Sequence, residues 1–228
     1  MKKQKEKFLE GEGDKWLHRN KSKLKERDYE EDLIINEIKY IRKFFNKDYS
    51  LKELSSSKVR ILEIGCGDAS RLKYIQNNFN YSCYGIEPSS AAVELGRSRG
   101  LNITQGTADR LNYENDYFDI IIFGFCLYLC DREDLFSICF ESDRVLKNKG
   151  FIIILDFYSD DKIEFNKYKH KDGIRSYKMD YSKMFTWNPF YTAYRNKILH
   201  HIEKEMTDES YEWISISTIR KNSELIEK

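Results

Sequence analysis

Apolar residues along the chain fall first into helical and then into alternating strand and helix patterns. Ile34, Ile38, Ile41 and Phe45 recur at spacings of four, three and four, which puts them on one helical stripe with Glu37, Lys39 and Arg42 turned elsewhere. The rest of residues 1–57 is charge-rich, so this stretch reads as a helical N-terminal cap packed on something larger, closed by a loop at Ser55-Ser56-Ser57. At Val59 the pattern changes. Val59 to Ile64 is a short apolar run ending at Gly65-Cys66-Gly67, as a buried strand ends in a tight turn. A helix from Ser70 to Phe79, a strand from Tyr81 to Ile86, a helix from Ser90 to Arg99 and a strand from Asn102 to Gln105 are expected next. Then come a fully apolar strand from Phe118 to Phe125, a helix from Glu133 to Leu146 stopped by Gly150, and a strand from Phe151 to Phe157.

Strands alternating with helices predict βαβ units and an α/β fold on a doubly wound, mostly parallel sheet. The near-continuous apolar strands fit a sheet covered on both faces. Lys197 to Glu205 and Tyr211 to Arg220 have no helix between them and are expected to pair as an antiparallel hairpin at the sheet edge, which makes seven strands. Residues 58–228 form the main domain in this reading. An aromatic and polar insertion over residues 158–194 is expected to shape a pocket, because a loop of that length in a compact domain usually carries function.

Composition narrows the classes. The chain has 228 residues with 39 basic and 38 acidic side chains, a net charge of +1, which is a poor footprint for nucleic acid or an anionic membrane. The five cysteines, Cys66, Cys83, Cys126, Cys130 and Cys139, form no CxxC and sit mostly in apolar stretches. They read as free buried thiols of a cytoplasmic protein, with no metal site indicated. The longest apolar run, Ile120 to Cys130, is eleven residues, too short for a helix to span a bilayer.

Glycines after the first strand let the backbone approach a ligand, and the helix that follows points free N–H groups at the same space. A dinucleotide fingerprint would need a third glycine where Ser70 stands, which argues against a nicotinamide oxidoreductase. An acidic residue at the end of the second strand should bind ribose hydroxyls, and Glu87 stands there. Two carboxylate oxygens can accept from both hydroxyls at once.

These residues resemble a known family. Ile61-Leu-Glu-Ile-Gly-Cys-Gly-Asp68 is similar to the first motif of class I S-adenosylmethionine-dependent methyltransferases, and Tyr84-Gly-Ile-Glu-Pro-Ser89 to the second. Gly106-Thr-Ala-Asp-Arg-Leu111 resembles the third and Phe118-Asp-Ile-Ile-Ile-Phe-Gly-Phe125 the fourth. Arg144 to Ile154 is similar to the helix, glycine turn and fifth strand that follow. The resemblance implies a Rossmann-like fold and S-adenosylmethionine as cofactor. It places Gly65, Cys66 and Gly67 against the methionine part, Glu63 on its amino group, and Glu87 with Pro88 at the ribose. Ala108 and Asp109 would frame the adenine, Phe123 and Gly124 would lie under the sulfonium, and Trp16 and Arg19 are candidate residues of an N-terminal lid.

The acceptor is less legible. A sulfonium methyl is already activated, so positioning dominates, and an unactivated hydroxyl gains from a general base. The histidine pair that many relatives carry after the fourth strand is replaced here by Cys126-Leu-Tyr-Leu-Cys130. Candidate bases are His170 in the insertion and Asp156 at the end of the fifth strand; His200 and His201, adjacent on an edge strand and facing opposite ways, read as structural. Tyr128, Tyr177, Tyr181 and Trp187 are candidate acceptor contacts. The expected acceptor is a small polar metabolite, with a sugar or nucleotide-sugar as candidate class, methylated on oxygen or nitrogen. Asn188-Pro-Phe-Tyr191 resembles the signature of nucleic-acid amine methylation, but it follows the fifth strand rather than the fourth. The alternative is a module that binds the cofactor without catalysis.

Overall fold

In the computed structural model, which describes residues 3–47, 59–160 and 163–226, Arg60–Ile64 forms β1 at the middle of a sheet. Around it lie β2 (Ser82–Glu87), β3 (Asn102–Gln105), β4 (Phe118–Gly124) and β5 (Leu146–Phe157). Two further strands, β8 (Tyr191–His200) and β9 (Trp213–Lys221), complete the order β3-β2-β1-β4-β5-β9-β8. The first five strands are parallel, whereas β9 runs antiparallel to both β5 and β8. Strand order reverses between β1 and β4. In open α/β sheets that switch point opens a ligand crevice at the carboxyl ends of the strands.

Alternation along each strand sends neighbours to opposite faces. Ile61, Ile120, Ile122 and Ile153 face one core, while Leu62, Ile121, Ile152 and Ile154 face the other. The first face is covered by α3 (Leu33–Lys47), α4 (Ser70–Phe79) and α5 (Ser90–Ser98). Ile34, Ile35 and Ile38 of α3 are fully buried there, each worth about 1.5–3 kcal/mol of transfer free energy. The N-terminal stretch thus completes a core layer as well as capping. Ahead of α3 stand α1 (Gln4–Lys7), a π-turn over Phe8–Glu12 and α2 (Gly13–Lys25). The second face is covered by α6 (Leu135–Val145) and α7 (Lys183–Thr186). Ser55-Ser56-Ser57 and the expected boundary at residue 57 lie outside the described residues, as does the side chain of Phe45.

Two expectations are corrected. The fifth strand begins at Leu146 rather than at Phe151, directly after a helix that ends at Val145. Leu146 already pairs with Phe118, the next pair is Ile120 with Phe151, and the residues between bulge out. Gly150 lies on the return, where a Cβ would come 2.7 Å from Leu146 Cδ1. The edge strand β8 begins at Tyr191 and ends at His200 rather than running from Lys197 to Glu205. It is half exposed and bulged between Ala193 and Arg195, so its apolar alternation is weak in the sequence. Within the insertion, β6 (Glu164–Lys167) and β7 (Arg175–Lys178) form a separate antiparallel hairpin.

Candidate active site

The loop after β1 turns on two glycines in the left-handed region, Gly65 at φ 70° and Gly67 at φ 56°. The N–H groups of Gly65 and Cys66 donate to the carbonyl of Ile86 at 2.8 and 3.3 Å, which ties the loop to β2. A Cβ at Gly65 would stand 2.6 Å from the Cβ of Cys126, so the position requires glycine on conformational and steric grounds alike. Asp68 accepts from the Ser70 hydroxyl at 2.6 Å and its amide at 3.2 Å, fixing the start of α4.

Glu87 closes the end of β2. One carboxylate oxygen accepts from Gly67 N–H at 2.8 Å and the other from Ser89 N–H at 3.0 Å. Burial pushes this carboxyl up to about 7, against the pull of both backbone donors. Glu87, Pro88 and Gly65 line one side of a cleft of about 410 Å³; Thr107, Ala108 and Asp109 line the adjacent wall. That volume suits one drug-sized ligand.

The N-terminal elements roof the cleft. Trp16 of α2 lies over the glycine loop, 3.5 Å from where a Cβ on Gly67 would sit, and lines the cleft together with Phe8, Leu24 and Arg27. Lys5 pairs with Asp109 and, at 3.0 Å, with Asp134. Asp14 accepts from Ser89 Oγ at 2.5 Å and Ala91 N–H at 3.1 Å, pinning α2 to the start of α5. Arg19, expected beside Trp16, is occupied elsewhere: it donates to Glu12 at 2.6 Å and to the Tyr168 hydroxyl at 2.9 Å, away from the cleft.

Glu63 departs from its expected role in part. Its Oε1 is bound by the Arg71 guanidinium, whose Nε also meets Asp32 at 3.2 Å. Its Oε2 is buried with no hydrogen-bond partner among the described residues. Burial pushes the Glu63 carboxyl up, with the Arg71 charge opposing. Cys66 and Phe123 do not line the cleft. The Cys66 thiol turns under β2, where it would clash with a Cβ on Gly85, and Phe123 is fully buried in the opposite core. Gly124, expected beside Phe123, lines the cleft together with its neighbour Phe125.

On the acceptor side only Tyr128 of the four expected contacts lines the cleft. Burial raises the pKa of its hydroxyl. Tyr181 is fully buried core, its hydroxyl meeting Arg132 at 3.2 Å, and Tyr177 stacks against Arg132 at 4.2 Å. Trp187 is 72% exposed and donates to the Met184 carbonyl at 3.0 Å. These positions alternate between core and surface because the insertion is a hairpin and a short helix rather than a loop over the cleft.

Neither expected base lines the cleft. His170 is exposed in the hairpin turn, edge-on to Tyr168 at 5.2 Å. Asp156 is fully buried and accepts from the amides of Leu127, Tyr128 and Phe157 at 2.9, 3.2 and 2.8 Å. Burial raises it to about 7, and the three donors oppose. It braces the turn that presents Tyr128. Sequence reasoning missed Phe125, Phe157, Arg27 and His201, all cleft-lining. His201 was passed over on the premise of a continuing strand; β8 ends one residue before it. Among the described residues, no group of three or more His, Cys, Asp or Glu is placed to hold a metal ion. None of the described helices is long and apolar enough to cross a membrane.

The methyltransferase domain family matches residues 62–154. The fatty-acid O-methyltransferase of Mycolicibacterium smegmatis is 30% identical over 102 residues, which are 42% of this chain. The chain spans only 36% of that relative's length. A SAM-dependent methyltransferase of Methanosarcina mazei superposes with a TM-score of 0.57 at 16% identity, covering 72% of this chain and 93% of that one. The 1,6-didemethyltoxoflavin-N1-methyltransferase of Burkholderia thailandensis, solved with 1,6-didemethyltoxoflavin and S-adenosylhomocysteine, superposes at 0.58 with 12% identity over 75% and 74% of the two chains. At such identities the likeness is one of fold.

Proposed function

We propose, from the premise that residues 62–154 are a class I methyltransferase domain, that the protein transfers a methyl group from S-adenosylmethionine to an oxygen or nitrogen of a small molecule. The observation that carries this reading is Glu87, a buried carboxylate held by two backbone N–H groups at the carboxyl end of β2 and open to the cleft. Each oxygen keeps a lone pair for a ribose hydroxyl.

Other groups fit the same ligand. Glu63 does not line the cleft, but its buried, unpartnered Oε2, one residue before the cleft-lining Ile64, can accept from an ammonium; Arg27, lining the cleft with its charge felt at Glu63, suits a carboxylate. Ala108 and Asp109 would flank the adenine, while Trp16 and Phe8 exclude water from above. The bound sulfonium supplies an activated methyl. The cleft residues then have to fix the acceptor in line with it and keep bulk water out.

The acceptor class shifts from the sequence expectation. Of the candidate acceptor contacts, Tyr177, Tyr181 and Trp187 do not line the cleft. Phe125, Phe157 and Tyr128 do, which favours an acceptor with an apolar or planar body. The relative named for fatty acids fits apolar walls equally well. Incubation with methyl-labelled S-adenosylmethionine and a panel of phenols, fatty acids, amines and sugars is expected to give acceptor-dependent S-adenosylhomocysteine. Binding of the cofactor without product from any acceptor would favour a non-catalytic binding module.

A further inference from the structure

The sheet order divides the cleft. Glu87 and the wall at Ala108 belong to the β2 and β3 side, whereas β4 and β5 end on the other side of β1. There four rings meet. Phe157 stands 5.3 Å from Phe125, 5.0 Å from Tyr128 and 5.2 Å from His201, and His201 is 5.9 Å from Phe125. All four line the cleft.

Of the two adjacent histidines, only His201 faces it. His200 spends its Nδ1 on the turn, accepting from the amides of Ile202 at 3.2 Å and Glu203 at 3.1 Å. His201 is fixed through its backbone, which donates to the Glu212 carbonyl at 2.8 Å. No hydrogen bond engages its ring among the described residues, although the ring is half buried. Burial lowers its pKa from the ordinary imidazole value, Lys204, His200 and Lys178 push the same way, and Glu212 opposes. Phe125 and Phe157 bring no charge to it. The imidazole is therefore neutral at physiological pH, the form that accepts a proton.

We propose that His201 is the general base for a compact aromatic acceptor carrying a phenolic hydroxyl, which packs on Phe125, Phe157 and Tyr128. This rests on the methyltransferase reading above. The acceptor oxygen forms its bond to the transferred carbon as the S–CH₃ bond breaks and its electron pair returns to sulfur. The hydroxyl proton passes to the imidazole and from there to water. Planar rings stack edge or face against such walls.

The probe is 4-methylphenol, added to the full chain saturated with S-adenosylhomocysteine and followed through the His201 ring C2–H resonance, assigned by its loss in His201→Gln. The resonance is expected to titrate below a free imidazole and to move on addition of the phenol. His201→Gln should bind S-adenosylhomocysteine as the wild type does, which shows that it is folded. Its methylation of 4-methylphenol should fall by roughly 100- to 10,000-fold. In the wild type this rate rises with pH through the His201 ionisation, and the variant loses that limb. No movement of the resonance, no methylation of the phenol by the wild type, or an unchanged rate and profile in the variant overturns the assignment. Failure of the wild type to bind S-adenosylhomocysteine would instead remove the methyltransferase reading on which it rests.

Discussion

Replacing Glu87 with alanine is expected to weaken S-adenosylhomocysteine binding by about 30- to 1,000-fold, on the order of 2–4 kcal/mol. Two hydrogen bonds from ribose hydroxyls to a charged acceptor would be lost. The amides of Gly67 and Ser89, which now donate at 2.8 and 3.0 Å, would also lose their partner, so the loop that shapes the methionine end loosens with the ribose site. Because Glu87 is almost fully buried and its carboxyl is raised to about 7, ionising it costs the folded state. A folded-state pKa above the unfolded value means that the folded chain holds the proton longer. This residue's contribution to stability therefore declines as pH rises from about 4.5 through 7. The alanine variant should lose that dependence while losing affinity. Equilibrium dialysis and urea titrations at several pH values report the two effects separately, and undiminished affinity would count against the assignment.

The largest stability effect is expected at Arg71. Its side chain is 6% exposed and bridges Glu63 of β1, 2% exposed, to Asp32, 7% exposed, which accepts from the Ile34 and Ile35 amides at 2.9 and 3.1 Å to cap α3. The two carboxylates hold the guanidinium cationic despite its burial. Arg71→Met removes the guanidinium that binds both, leaving two buried carboxylates without their ion-pair partner, and should cost about 3–5 kcal/mol. The Glu63 carboxyl, already pushed up by burial, then rises further, so the deficit should narrow as pH falls. Adding Glu63→Gln to the variant should restore part of the loss, since one uncompensated charge is gone. Urea unfolding followed by circular dichroism tests this, and a midpoint equal to the wild type would contradict it.

What could be read from the sequence follows a physical rule. Strands β1 and β4 and the Phe151 to Phe157 part of β5 were legible because buried parallel strands are nearly all apolar, and the glycine turn because positive φ beside a strand-end acid leaves a local signature. Glu87 was readable for the same reason. The Asp32–Arg71–Glu63 cluster was not, since its members come from three elements and meet only through packing. Tyr181 and Trp187 have similar sequence surroundings, yet one is fully buried and the other is 72% exposed; that contrast depends on how the hairpin and α7 dock. His201 escapes the sequence reading because the expected strand runs on to Glu205, five residues beyond the end of β8 at His200. Phe125 sits at φ 55° just after β4, a conformation its residue type does not announce.

The central claim is that the cleft between the glycine loop and Glu87 is built for the adenosyl-methionine skeleton. Calorimetric titration of the wild-type protein with S-adenosylhomocysteine, beside the same titration with a reduced nicotinamide dinucleotide, tests it most directly. One-to-one binding of the first and no heat from the second is the predicted result. No binding of S-adenosylhomocysteine, or saturable binding of the dinucleotide in its place, would contradict the account.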